Sequence, residues 1–395
     1  MVSNKAALYA SVGSILTRYE VGVDTFSLEK RGQVALPSNV QYAWAHASKP
    51  LLYVACSSRT SRERVGAEHY LCALIVDSVK GNLALHGVPV RLPNRPVHMT
   101  VDAASENVLV AFNVPANLMV FRIEPDGTLG AQVTQHSHLD FGVFPHQVRV
   151  TPDNRKVILV TRGNPRTHDF RAHVGDQQDP GALKVFHYDQ GVLGGEISIA
   201  PGNGLQFGPR HLDFHPTLPW VYVSLETQNM LNVFRLNQGV LSHEPVFAKE
   251  ILLNPSTPWR QGAGTVHVHP NGRFVYCVSR GHAPQPFEGK EVLIDVENTI
   301  AVFSINGVTG EPKLIQHIDT GGICARTFSL EPSGRLLVTA NAETHLVKKG
   351  KEIRLVPANL AVFKVRDDGT LEFKIKYEVP LGGAEKLFWM GILPD

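Results

Sequence analysis

The chain has 395 residues, 43% of them hydrophobic and 19% charged, with a formal net charge of +2. That composition supports a large core and excludes disorder, and its scattered Lys and Arg exclude the basic footprint of a nucleic-acid binder. No segment approaches the length of a membrane-spanning helix, and the start MVSNKAALYASVGS lacks a basic stretch followed by a long apolar one. A cytoplasmic protein without nucleic-acid or membrane partners is therefore expected.

In chain order, the first 40 residues hold three strand-like runs, AALYASVG, TRYEVGVDTFSL and GQVALPS. A unit then recurs six times, over residues 41 to 94, 97 to 140, 146 to 205, 210 to 253, 264 to 320 and 326 to 380. The fourth copy, GPRHLDFHPTLPWVYVSLETQNMLNVFRL, shows it most clearly. An alternating strand leads to a turn at Pro216, a β-branched and aromatic strand ends at Glu226, and a third strand runs from Met230 to Leu236. Equivalent second strands (LLYVACS, NVLVAFN, KVILVTR, FVYCVSR, LLVTANA) and a Gly-containing turn before a fourth run occur in the other copies. Four strands per repeat of about 40 to 60 residues is the signature of a propeller blade. After the sixth copy, AEKLFWMGIL supplies one more strand, which with the three N-terminal runs makes a seventh blade. The fold predicted is all-β: one domain over residues 1–395, a seven-bladed β-propeller of four-stranded antiparallel blades, closed by a blade shared between the N- and C-termini.

The repeat also locates a site. In each copy the residue that begins the innermost strand and the residue that ends the second strand are separated by sixteen positions. These strands are antiparallel neighbours, so both positions lie at the same mouth of the central channel. The starts are Gln41, Val97, His146, Arg210, Gly264 and Arg326, and the ends are Ser57, Asn113, Arg162, Glu226, Arg280 and Ala342. Blades three to six thereby gather His146, Arg162, Arg210, Glu226, Arg280 and Arg326. Arginine forks match carboxylate or phosphate, a glutamate among them stays ionised, and an imidazole titrating near neutrality is a natural general base. The connection from second to third strand leaves on the same face. It swells to about twenty residues in blade three, where hairpin loops run to about two to five, and blades one, five and six are also expanded. Lids over a site and plain surface insertions are both open for these loops.

Other motifs carry less. His211 and His215, and His267 and His269, form His pairs without a nearby acidic third ligand, and are expected to be hydrogen-bonded residues at the channel. The blade-three insertion contains His168, Asp169, His173, Asp176 and Asp179, which could bind a divalent ion, although their irregular spacing argues against it. Cys56, Cys72, Cys277 and Cys324 fall in apolar runs without C-x-x-C spacing, which predicts buried free thiols. Neither a phosphate loop nor a Gly-x-Ser-x-Gly elbow occurs, and no cofactor or metal is expected. Nothing in the sequence speaks to oligomeric state.

GPRHLDFHP with VYVSLE and NVF, PHQVRVTPD in blade three and VHPNGRFVYCVSRGH in blade five resemble the seven-bladed lactonase family, which includes propeller-type 6-phosphogluconolactonase and fungal 3-carboxy-cis,cis-muconate lactonizing enzyme. The resemblance covers essentially the whole chain, apart from insertions at 163 to 182, 281 to 297 and 343 to 357. It implies a catalytic set of His146, Arg210, Glu226 and Arg280, and the positions at and beside the channel mouth add Arg162, Arg326, His211 and Asn113 as expected substrate-binding residues. The expected activity is hydrolysis of an acidic, carboxylated or phosphorylated, sugar lactone. Cycloisomerisation of a carboxylated muconate would use the same acid and base in the other direction, and a propeller that only binds a partner is an alternative of another class.

Overall fold

Each sequence repeat folds as one blade. The computed structural model describes residues 5–59, 66–77, 81–135, 138–163, 179–256, 261–281, 284–294, 296–383 and 385–393. In blade four Pro209–Phe214 is innermost, followed outward by Trp220–Leu225 and Met230–Asn237, with Val240–Leu241 and Phe247–Glu250 sharing the outer edge. In the seventh blade Leu387–Leu393 is innermost and pairs with Lys5–Val12, which is followed by Ile15–Gly22 and Ser27–Ala35. Joining the two termini in one sheet closes the ring and leaves no open end to the array.

The cores lie between blades. Seven clusters of buried apolar side chains each draw on two neighbouring blades and together go once round the ring. Leu183 and Val160 of blade three, for example, pack with Val221 and Phe234 of blade four. Each fully buried Val, Leu or Phe stabilises by about 1.5 to 3 kcal/mol relative to exposure, so the apolar alternation of every blade is satisfied only by its neighbour. Polar latches recur at equivalent places. The hydroxyls of Tyr53, Tyr222 and Tyr276 donate to the carbonyls of Gly127, Gly310 and Gly369 in the next blade's outer turn, at 2.9, 2.9 and 3.0 Å.

One bulge repeats in all seven innermost strands and explains the sixteen-residue spacing. In blade four Pro209 pairs with Leu225 and His211 with Ser224, so Arg210 is an extra residue without a partner. Gln41, Val97, His146 and Arg326 are the extra residues of blades one, two, three and six. Gly264 and Thr265 share the position in blade five, and Phe388 holds it in blade seven. A bulge breaks the alternation of side chains and re-aims one of them. Here it adds one side chain at the mouth in every blade but the fifth, where Gly264 holds the aligned position.

The insertions of blades five and six are not loose loops. Gln285–Phe287 and Lys290–Ile294 form one hairpin, His345–Lys349 and Glu352–Val356 another, and the two join by parallel pairing of Val292, Leu293 and Ile294 with Leu346, Val347 and Lys348. The alternating apolar residues account for this. Leu293 is fully buried and packs on Ile323 and Cys324 at the head of blade six's innermost strand. The resulting four-stranded sheet stands beside the channel mouth. Residues 164–178 of the blade-three insertion, with His168, Asp169, His173 and Asp176, lie outside the described residues. All four cysteines are buried free thiols. Among the described residues no helix is long and apolar enough to cross a membrane.

Candidate active site

Glu226 follows directly on the second strand of blade four, and three arginines from three blades converge on it. Arg162 Nη1 donates to Oε2 at 2.7 Å, and Arg280 Nη2 donates to Oε1 at 2.7 Å and to the Ala263 carbonyl at 3.2 Å. Arg210 Nε stands 3.3 Å from Oε1, within ion-pair reach but not aligned for a hydrogen bond. Arg280 reaches the carboxylate past Gly264, the residue of the blade-five bulge that has no side chain. A Cβ on Gly264 would stand 2.4 Å from Val278 Cγ2 and 3.1 Å from Arg280 Nε. The apparent gap in the recurring pattern is the passage that Arg280 uses.

Charge and burial set the protonation states. Burial pushes the Glu226 carboxyl up, but the combined charges of Arg162, Arg210 and Arg280 outweigh it and hold the group well below the usual carboxylate range. Burial, reinforced by the charge of Arg280, pulls the Arg210 guanidinium well below its ordinary value. Three cations thus share one anion. Among the described residues Arg210 Nε and Nη1 and Arg280 Nε are buried N–H donors without an acceptor, each costing about 1 to 3 kcal/mol while unsatisfied.

His146 lies half-buried beside this cluster. Neither ring nitrogen has a hydrogen-bond partner among the described residues, and Nδ1 is closed off from solvent. Sequence alone suggests titration near neutrality, and the structure corrects this. Burial, then the charge of Arg210, drives the imidazole well below the ordinary histidine value, so it is neutral at pH 7. A neutral imidazole free of protein partners can accept a proton from water.

The remaining expected residues are placed less uniformly. His211 is buried one residue beyond the bulge, its ring centroid 5.2 Å from that of His146 and 6.0 Å from that of His98. It backs His146 inside the channel wall. The Arg326 guanidinium lies 3.8 Å from the centroid of the Phe388 ring. Asn113 ends the second strand of blade two half-buried, and its side chain makes no hydrogen bond to the cluster among the described residues. His215 and His269 are structural: their Nε2 atoms meet the Gly272 and Gly334 carbonyls of the next blade at 2.9 Å. His267 stands deeper, 3.4 Å from Asp213. Sequence reasoning missed Phe388 and Arg95. Phe388 was recoverable, since AEKLFWMG is the seventh copy of the bulged strand. Arg95 sits two residues before Val97, off the two aligned positions.

A family profile described as "Lactonase, 7-bladed beta-propeller" matches residues 7–349. A 6-phosphogluconolactonase of Bacillus subtilis (strain 168) is 27% identical over 354 residues, covering 87% of this chain and 90% of the relative. One from Klebsiella pneumoniae (strain 342) is 24% identical over 369 residues, covering 91% and 93%. Among solved structures, a periplasmic gluconolactonase of Pseudomonas aeruginosa superposes with a TM-score of 0.73 at 18% identity over 98% of this chain and 99% of that one. A putative 6-phosphogluconolactonase of Bacteroides fragilis gives 0.70 at 17% identity over 100% and 99%.

Proposed function

Since the chain belongs to the seven-bladed β-propeller lactonase family, we propose that it is a 6-phosphogluconolactonase-like hydrolase that opens an acidic sugar lactone at the Glu226 cluster. The observation that carries this is the set of buried arginine donors that have no acceptor among the described residues, beside a neutral imidazole with no hydrogen-bond partner among them. Relatives named 6-phosphogluconolactonase over most of the chain support the substrate class. Four buried free thiols support a reducing, cytoplasmic compartment.

In the proposed reaction a water molecule adds to the lactone carbonyl carbon while His146 takes its proton. The tetrahedral oxyanion receives the free donors of Arg210 and Arg280. Collapse breaks the bond between the carbonyl carbon and the ring oxygen, and the proton on His146 passes to that oxygen, which leaves as a hydroxyl. The product is a hydroxy acid whose ionisation releases one proton. Glu226 holds the three guanidinia in position and offsets their mutual repulsion. Product acid is read with a pH indicator on 6-phosphogluconolactone and its unphosphorylated counterpart. H146A is expected to lower kcat by about 100- to 10,000-fold in a folded protein. Unchanged turnover by H146A removes His146 from the mechanism, and turnover of a carboxylated muconate without lactone hydrolysis overturns the hydrolase reading.

A further inference from the structure

Among the described residues, one pair of cations at the mouth has no carboxylate within ion-pair distance. Arg95 is 9% exposed, and its Nε donates to Gln41 Oε1 at 2.8 Å, a neutral acceptor on the bulge of blade one. The Gln41 amide nitrogen is fixed in turn by the backbone carbonyls of Asn39 and Val40, both at 3.2 Å. Arg326 lies on the ring of Phe388, the bulged residue of blade seven. The innermost strands of blades six, seven, one and two are successive neighbours around the channel, which sets these four side chains along one arc of the mouth. Among the described residues neither Arg95 nor Arg326 has a carboxylate within ion-pair distance.

The contrast with the other arc is chemical. Around Glu226 a shared carboxylate offsets three guanidinia. On the Arg95 arc two guanidinia lose solvation and the charge of Arg326 opposes that of Arg95, while among the described residues no carboxylate pairs directly with either, Glu226 acting on Arg326 only from a distance. Burial, then the charges of Arg59 and Arg326, pulls the Arg95 guanidinium well below its ordinary value, and burial with the charge of Arg280 brings Arg326 down to about 10. Such an arrangement costs stability unless a ligand supplies the missing charge. A carboxylate would offset one of the two. A phosphate monoester carries about −1.5 to −2 at pH 7 and three acceptor oxygens, which matches both.

We propose that Arg95 and Arg326, held by Gln41 and Phe388, form the subsite for a phosphate monoester borne by the substrate at the end away from its reacting carbonyl. This rests on the hydrolase reading and divides the mouth into a reacting arc at His146, Arg210, Glu226 and Arg280 and a recognition arc at Arg95 and Arg326. The selectivity for a phosphorylated lactone then belongs to the recognition arc.

The test compares kcat/KM for 6-phosphogluconolactone and the unphosphorylated lactone. R95Q is expected to lower the ratio of the two by about 100-fold, and R95K to recover part of it. R326Q carries the same expectation and serves as an independent variant if R95Q does not fold. Equal losses on both lactones would make Arg95 a structural prop and overturn the subsite. Calorimetric titration with inorganic phosphate gives a readout independent of turnover. Wild type should bind it, and R95Q and R326Q should bind at least about tenfold more weakly; unaltered affinity overturns the proposal. Phosphate binding through Arg95 in a protein that hydrolyses neither lactone would remove the hydrolase reading and keep the subsite. Hydrolysis with a preference that R95Q does not move would do the reverse.

Discussion

Replacing Glu226 with Gln changes almost no volume and removes one negative charge, so its consequences isolate what that charge does. The native carboxylate takes hydrogen bonds at 2.7 Å from both Arg162 and Arg280 and sits 3.3 Å from Arg210 Nε. In E226Q three guanidinia lose their common counter-ion, and the new amide N–H2 faces other donors. Breaking a buried pair from one side costs about 3 to 5 kcal/mol. Glu226 and Arg162 retain 15% and 23% of their side-chain surface, and solvent screening reduces this to about 2 to 3 kcal/mol. Unfolding entropy of about 2.1 cal/mol/K per residue is about 0.8 kcal/mol/K for a chain of this length, so Tm falls by about 2 to 4 °C at pH 7. The sign of the pH dependence follows from the lowered carboxyl pKa. Its stabilisation is complete above the unfolded value near 4.5 and is lost as pH falls through the lower folded value. Scanning calorimetry at stepped pH from about 7 down to about 3 should therefore show a gap between wild type and E226Q that is widest at neutral pH and closes on acidification. Equal melting temperatures at pH 7, or a gap that persists in acid, would refute an ionised carboxylate tying the arginines together.

The remaining expectations concern the base and the passage through blade five. Because burial and Arg210 hold His146 well below 6.5, wild-type kcat/KM should stay level from about pH 8 to about pH 6 and fall only in stronger acid. An acid limb centred at or above the ordinary histidine value would mean that another group is the base. G264A places a methyl 2.4 Å from Val278 Cγ2 and 3.1 Å from Arg280 Nε. Displacing Arg280 should lower kcat/KM by about 10- to 100-fold, with a loss of about 1 to 3 kcal/mol in stability. Activity retained in full would show that Arg280 need not cross blade five at that point.

The ring and its closure were legible because each rests on a local pattern repeated many times. Alternation and turn chemistry recur blade by blade, and a fixed separation survives differences in loop length. The gathering of residues around Glu226 was legible for the same reason. His146, Arg210 and Glu226 stand at repeat positions, and their meeting follows from register alone. Arg280 was found by the same rule, but how it arrives was not, since that depends on an absence: Gly264 contributes no side chain, and only the packed structure shows a guanidinium passing there. The pKa of His146 was misread for a related reason. Its residue type gives the ordinary value, whereas its state is set by burial and by a charge that is distant in sequence. The paired insertions show the opposite limit. Residues 281 to 297 and 343 to 357 look like separate loops, yet each is half of one sheet, joined by parallel pairing that neither segment encodes alone. Arg95 falls between these cases. Its Gln41 partner stands on an aligned position and its own position does not, so periodicity brought one member of the contact into view and left out the other. In a repeat fold, then, residues that act through the shared register can be read from the chain. Those that lend a blade its individual chemistry depend on departures from the repeat, and a departure acquires meaning only from what packs against it.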